Sequence, residues 1–556
     1  MSTLTTSAVP HVARRQWLTT LTLILVALPT AVPILSVLSS LLRPGSETWQ
    51  HLRDSVLPEY VGNTLLLMAL VGIGVLLVGV TCAWYTATRD FPGRRWLVWA
   101  LILPIAAPAY VVAYAYADVL AFDSELQRGV REMFGVARGL PPVRSLSGAA
   151  IILTLCLYPY VYLFAYTAFA GHARSLTDAA RTLGANRRQA FSRVALPHAR
   201  PAIAGGAALA LMETAADFGV VDFFGVTTLT SGVFRTWYAQ GDQEAALQLA
   251  GWLFLVVMLL VLAERWVRRG AHTNPVSRQV SAPRDAIRGV HGWLMTLICA
   301  LPVLLGFVLP VAVFVYNAVA VGDPMLGRAF GSYITNTIMV AAIAAVLCVS
   351  CALALAYGLR VASFARARIP LQQLGVRLAT LGYALPGMVL AVGFIGPLTM
   401  LDRWLAGTLS NWLDRPVGLL LTGSIAALII VYLARFMTVA YNSCDSGMAR
   451  IHQHYDAAAR SLGASTRNML TRVHLPMLMP SVLTAALLVF VDVVKELPAT
   501  LILRPFNFET LATRAYRLAS DERIAEASTA CLAIVLVGLI PTLLLARQNF
   551  GSSKST

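Results

Sequence analysis

Apolar positions in this chain fall in long blocks, and the polar positions gather between them. The blocks run over about 18–42, 62–86, 96–120, 148–171, 201–222 and 245–263, then 292–318, 332–358, 374–400, 417–441, 480–503 and 525–546. A helix needs roughly 20 apolar residues to cross a bilayer core. The pattern therefore predicts an all-α integral membrane protein with about twelve transmembrane helices. The first block follows a polar segment carrying Arg14 and Arg15. It is longer than the apolar region of a signal peptide and lacks a clear small-x-small cleavage site, so it reads as the first spanning helix.

Two of the polar intervals say nearly the same thing. Asp178-Ala-Ala-Arg-Thr-Leu-Gly184, continuing to Leu196-Pro197 and Pro201, aligns without a gap on Ala457-Ala-Ala-Arg-Ser-Leu-Gly463, continuing to Leu475-Pro476 and Pro480, at an offset of 279 residues. A repeat separated by half the chain means two copies of one large unit. The predicted organisation is a six-helix half over 1–264, a polar linker over 265–291 with Pro275 and Pro283, and a second six-helix half over 292–556. Six spans per half return the second half in the orientation of the first, a parallel repeat about an axis along the membrane normal. Asn63-Thr64 matches Asn336-Thr337, and Pro108 matches Pro386. The outer loop 121–147 is expected to have no equally long counterpart.

Composition agrees with the pattern: 58% of the 556 residues are hydrophobic, 13% are charged, and the mean hydropathy is +0.69. That leaves too little polar surface for an ordinary soluble protein. The net charge of +16 raises nucleic acid as a partner, but the arginines collect in alternate intervals between apolar blocks, the distribution of cytoplasmic loops at an anionic leaflet. Arg89, Arg94 and Arg95 lie in one such interval, Arg181, Arg187, Arg188 and Arg193 in the next, and Arg360, Arg435, Arg460, Arg467 and Arg472 count with their second-half equivalents. Both termini and both repeat loops are thus expected in the cytoplasm, with the lipid bilayer and no nucleic acid as partner. The only lysines are Lys495 and Lys554, and neither completes a nucleotide-binding G-x-x-x-x-G-K-[ST] loop, so the chain is not expected to hydrolyse ATP. Seven cysteines, odd in number and without a C-x-x-C pair, read as packing residues, and no cofactor or tightly bound metal is expected.

Each copy of the repeat reads as two short helices joined at Gly184 or Gly463, with Leu-Pro stopping the second. This pattern resembles the E-A-A-x-x-x-G loop of membrane permeases in bacterial ATP-binding-cassette importers. The resemblance implies a cytoplasmic peg that plugs into a separate ATPase. Two ATPase copies would bind, one per loop, and a substrate-binding protein would dock on the outer side of the inner membrane. The residues carried over are Asp178, Ala179, Ala180, Gly184, Leu196 and Pro197 in the first loop, and Ala458, Ala459, Gly463, Leu475 and Pro476 in the second. The second copy departs at its first position, where Ala457 replaces the acid and Asp456 stands one residue earlier. The competing reading is a basic helix lying on lipid headgroups. Such a helix has no need of glycine and Leu-Pro at fixed places twice.

Charges inside the apolar blocks are the other candidates. Glu213 and Asp217 lie four apart, Asp492 and Glu496 lie four apart at the repeat offset, and Lys495 adjoins the second pair. Each pair begins twelve residues beyond Pro201 or Pro480, taken as helix starts. Ionisable groups in a bilayer face a water-filled path or a partner. Two readings stay open: carboxylates lining the outer mouth of a cation path, or structural ion pairs with Lys495, Arg504 or Arg235. The stretches after the two loops resemble fused two-half permeases of the ferric-iron importers, which implies a membrane-spanning importer subunit for iron(III). Thiamine or another small nutrient is the alternative cargo, and a secondary transporter without an ATPase is the alternative class.

Overall fold

The computed structural model describes residues 26–135, 139–170, 179–268, 285–322, 327–364 and 370–550. In chain order its main helices are α1 Val26–Ser40, α2 Glu47–Thr88, α3 Arg94–Ala106, α4 Ala109–Val119, α5 Glu125–Phe134, α6 Leu146–Ala170, α7 Leu196–Ala216, α8 Gly219–Phe223, α9 Leu229–Tyr238 and α10 Gln243–Arg268. The second half follows with α11 Val290–Ala320, α12 Arg328–Phe364, α13 Gly387–Leu413, α14 Ile425–Ala449, α15 Gln453–Ser461, α16 Leu475–Val494, α17 Pro498–Leu503, α18 Leu511–Ser520 and α19 Ile524–Phe550. Among the described residues nine helices are long and apolar enough to cross a bilayer, and a tenth crossing is counted if α3 and α4, bent by 93°, form one span. The chain is an all-α, multi-pass membrane protein. Two of the twelve expected blocks fall outside that tally: α1 is shorter, and α7, rich in alanine and glycine, is not among the nine.

The second helix shows why these blocks form spans. Ser46 caps its start by accepting from the Trp49 N–H at 3.2 Å, and the chain turns extended at Arg89, before Pro92 and Gly93. Between those ends α2 is apolar all round: Leu67, Val71 and Val75 are buried, while Leu65, Leu66, Leu70, Ile73 and Leu77 are exposed. A helix exposing so many leucines is stable only where lipid covers them.

The chain divides into two compact units, one of residues 1–44 with 332–510, the other of 45–331 with 511–556. The first helix of each half thus belongs to the unit built mainly by the other half. Contacts that hold α1 in its unit pass over Gly393 of α13, where a side chain would press on the Pro33 carbonyl at 2.8 Å and on Val37 at 2.8 Å. In the other unit Gly306 of α11 lies on α6, where a side chain would sit 2.7 Å from the Leu155 carbonyl. Polar contacts add to that seam: Tyr116 donates to the Leu305 carbonyl at 2.8 Å and Asn317 to Asp118 at 2.9 Å. Small residues at such crossings let backbones approach, which matters where lipid supplies no hydrophobic drive between helices.

The matched residues occupy matched places. Asn63 donates to the Thr227 carbonyl at 2.9 Å, and Asn336 donates to the Glu509 carbonyl at 3.0 Å. Pro108 and Pro386 each precede the first turn of a helix, α4 and α13, after a short 3-10 turn. The ninth expected block, 374–400, therefore straddles a break, and α13 runs on to Leu413. The expected inequality of the two connections stands in their build, a long interval with its own helix in the first half against a short one after α13 in the second. Where the second half has one long helix α13, the first half has α4 and α5 separated by a turn at 120–124, and both routes lead to the next span, at Leu146 or Ile425. The hydrophobic pattern missed this because the amphipathic tail of α13, with Asp402, Arg403 and Trp412, does not read as a span. Two arginines counted with the loops are corrected as well. Arg435 lies inside α14 and Arg360 near the end of α12, each largely buried with an acidic partner.

Placing valine at Gly306 or at Gly393 should lower the melting temperature of the detergent-solubilised protein, since overpacking a tight crossing costs about 1–3 kcal/mol. Unchanged melting in both variants would show that neither crossing is tight.

Coupling hairpins and broken helices

The two repeat loops fold into the same hairpin. In the first, Leu183 donates to the Ala179 carbonyl, Gly184 to Arg181 and Ala185 to Ala180, at 3.2, 3.0 and 3.0 Å. In the second, Leu462 donates to Ala458, Gly463 to Arg460 and Ala464 to Ala459, at 3.2, 2.9 and 3.0 Å. These bonds close the last helical turn, and they require the glycine in the left-handed region, at φ +91° for Gly184 and +77° for Gly463. Nothing lies within 4 Å of where a side chain would stand on either glycine, so backbone conformation alone selects the residue. The following helix starts on a polar cap, Asn186 accepting from the Gln189 N–H at 2.8 Å and Ser465 from the Asn468 N–H at 3.2 Å. Asp178 lies outside the described residues. Ala179 and Ala458 are exposed, Ala180 is half-buried and Ala459 is buried.

Leu-Pro does not stop the second helix, contrary to expectation. A π-helical turn, Ala190–Ala195 in one copy and Leu470–His474 in the other, leads directly into Leu196-Pro197 of α7 and Leu475-Pro476 of α16. A widened turn places the imide nitrogen where no intrahelical bond is demanded, so the helix passes through. Pro201 and Pro480 likewise lie inside α7 and α16, not at their starts. Each hairpin is therefore continuous with a long helix, α7 or α16, and α16 is one of the helices apolar enough to cross a bilayer. Sequence reasoning left out the tips: Leu183 and Leu462, identical in the repeat, are each 87% exposed. An apolar residue preserved twice in a polar segment was the available signal.

At the far ends of α7 and α16 the backbone breaks, and here the intramembrane charges sit. The carboxylate of Asp217 accepts from the N–H groups of Val220 at 3.0 Å and Val221 at 3.3 Å, capping the buried start of α8. Its repeat equivalent Glu496 accepts from the Ala499 N–H at 3.1 Å, at the start of α17. A helix start in apolar surroundings leaves N–H groups without water, and an acidic cap satisfies them. Glu496 also pairs with Arg435 at 3.0 Å, both side chains nearly buried. A side chain on Gly387 would overlap both partners, so glycine makes room for the pair. Lys495 pairs with Asp492 at 2.8 Å, and Arg504 is 3.4 Å from Glu509. Arg435, from another helix, is thus a neutralising partner of Glu496 that charge counting in the sequence did not propose. In the first half the position of Arg435 is held by Cys156. Glu213 is half-buried and makes no hydrogen bond or ion pair with another described residue, and the bonds to Asp217 come from backbone alone.

Two equivalent hairpins, each continuous with a long helix that breaks at its far end, accord with a membrane component of a binding-protein-dependent transport system, and the family match shows that class. The model of the family described as binding-protein-dependent transport system inner membrane component matches residues 76–269 and again 354–549, and the chain belongs to that family. It is similar to the Fe(3+)-transport system permease protein FbpB 2 of Haemophilus influenzae, 25% identical over 549 residues that cover 96% of this chain and 98% of that protein. It is also similar to the ferric transport system permease protein FbpB of Actinobacillus pleuropneumoniae, 24% identical over 511 residues, covering 86% of this chain and 70% of that one. The molybdenum transport system permease protein ModB of Escherichia coli is 27% identical over 197 residues, 34% of this chain and 84% of its own. The chain is a fused two-half permease subunit. In this family ATP is hydrolysed on a separate subunit, and a substrate-binding protein is the other partner.

The two caps predict unequal mutants. Glu496→Gln strands a buried arginine and should destabilise the protein by about 3 kcal/mol, whereas Asp217→Asn keeps a cap acceptor, strands no base and should cost about 1 kcal/mol or less. Thermal melting of the two variants in detergent checks this, and equal losses would remove Arg435 from the account.

Proposed function

We propose that this chain is the membrane-spanning subunit of an ATP-driven importer of iron(III), delivered by an external binding protein. The observation that carries the cargo is the end-to-end similarity to a ferric permease, 96% of this chain against 98% of that one. The molybdenum relative matches only about a third of this chain and so bears on the family, not the cargo. In this reading the halves 1–264 and 292–556 are joined by a cytoplasmic linker, 265–291, in a bacterial inner membrane with both termini inside. Two ATPase copies each receive one hairpin through the residues Ala179, Ala180, Gly184, Leu196 and Pro197, or Ala458, Ala459, Gly463, Leu475 and Pro476, with Leu183 and Leu462 at the tips. Asp178 is proposed with them from its place in the repeat, six residues before Gly184. Movement of a hairpin travels along a continuous helix, about 30 Å from Leu196 to Ala216 at 1.5 Å per residue, to the break that Asp217 caps.

Glu213, Asp217, Asp492, Lys495 and Glu496 are proposed to line the cation path, and their partners make their contributions unequal. The second-half carboxylates are each matched by a base, while Glu213 and Asp217 have none among the described residues. The first half therefore supplies, at the half-buried Glu213, a carboxylate not matched by a base, which would draw a hard cation toward carboxylate oxygen.

Uptake of ferric iron into vesicles holding the permease, its ATPase and an iron-loaded binding protein tests the reading. Transport of thiamine or molybdate but not iron would overturn the cargo. Glu213→Gln should slow iron uptake roughly fivefold to tenfold, the scale of losing one nearby charge, while stimulated ATP hydrolysis persists. Unchanged uptake would remove Glu213 from the path. Cysteines replacing Leu183 and Leu462, in a background without native cysteines, should react with an impermeant maleimide only from the cytoplasmic side and be shielded by bound ATPase. Reaction from outside would reverse the orientation.

A further inference from the structure

The second hairpin carries a buried arginine–aspartate–histidine cluster that has no counterpart among the described residues of the first. Asp456, in the first turn of α15, has its side chain fully buried, and Arg360 of α12 reaches it with Nε at 3.0 Å and Nη2 at 2.5 Å. The same guanidinium closes the end of α14, donating through Nη1 to the Met448 carbonyl at 2.7 Å and through Nη2 to the Ile451 carbonyl at 2.8 Å. On the other side of the carboxylate, Nε2 of His474, also fully buried, lies 2.8 Å from Oδ1. His474 ends the π-helical turn that leads into α16. One turn before Arg360, Tyr357 donates to the Thr466 carbonyl at 2.6 Å and sets its ring edge-on to His474 at 5.5 Å. Tyr357 also packs with Met448, Ile451, Ala459, Met469 and Leu478 in one buried apolar cluster beside the group.

One arginine thus holds together the ends of α12 and α14, the start of the hairpin and, through Asp456 and His474, the root of α16. The gapless repeat puts Thr177 and Ala195 where the second half has Asp456 and His474. The first hairpin is seated differently. Phe191 packs on Trp84 and Phe169 with ring centres 4.7 and 6.3 Å away, and Asp285, toward the end of the linker, pairs both with Arg89 and, at 3.4 Å, with Arg181. Aromatic packing tolerates sliding and rotation, and the half-exposed Arg181–Asp285 pair is worth little. A buried guanidinium with four directed bonds fixes both position and angle.

We infer that Arg360, Asp456 and His474 are positioning residues for coupling: they make the second hairpin a rigid extension of α12, α14 and α16, so that ATPase motion reaches the membrane chiefly through this half. The inference rests on the importer reading. Single removal of Arg360 or Asp456 leaves the other charge buried, so the decisive variant is the double Arg360→Met/Asp456→Leu, which empties the site of charge while keeping its bulk. Permease and ATPase are reconstituted together, and three quantities are read: copurification of the ATPase, ATP hydrolysis stimulated by iron-loaded binding protein, and iron transported per ATP hydrolysed. The expected result is normal copurification and hydrolysis with iron per ATP lowered about fivefold or more, the range of an ordinary coupling free energy. His474→Gln should lower the ratio in the same direction. A wild-type ratio in the double variant overturns the inference, and so does loss of ATPase binding, which would make the cluster a folding element only. The importer reading is judged separately, on the unmutated complex: if that complex neither binds an ATPase nor moves iron, the importer reading falls with no reference to the variants.

Discussion

A helix that breaks inside a bilayer exposes backbone N–H groups where no water can reach them, and this constraint organises both halves of the molecule. Each half answers it with a carboxylate at the same repeat position: Asp217 closes the start of α8 and Glu496 the start of α17. Once an acid is fixed there, the surroundings must accommodate its charge. The second half does so with Arg435, and with a glycine at 387 that leaves space for the guanidinium. The first half has Cys156 in place of the arginine, and its acid is held by backbone N–H groups alone among the described residues. The same backbone solution therefore leaves two different electrostatic environments.

The hairpins show the same division between shared backbone and unshared chemistry. Three equivalent hydrogen bonds and a left-handed glycine build each peg, and a π-helical turn carries each into the following long helix through a proline. What seats the pegs is unlike: an aromatic cluster on Trp84 in one half, a buried arginine–aspartate–histidine group in the other. A fused chain is free to diverge in this way, since its two halves are encoded separately and need not satisfy one symmetric design. Each compact unit also takes the first helix of the opposite half, so neither half completes its own packing alone.

How much of this was legible in the residues depended on the range of the interaction. Long apolar blocks must be helices in a bilayer, so the all-α membrane class followed from hydropathy, and the 279-residue offset made the duplication visible without any structure. Gly184 and Gly463 marked a turn because only glycine takes that backbone conformation at no steric cost. These are local rules, and they act through neighbours in sequence. Three features were not legible. That Leu-Pro would be traversed and not obeyed depended on a widened turn, which no composition announces. The pairing of Arg435 with Glu496 and of Arg360 with Asp456 joins residues 61 and 96 apart. Charge counting placed those arginines in loops because burial can be known only when the partner carboxylate is in place. The sequence by itself determined where helices form and that the unit occurs twice. Only the tertiary structure decided which charges meet, because a buried ion pair is fixed by the packing of helices distant in the chain.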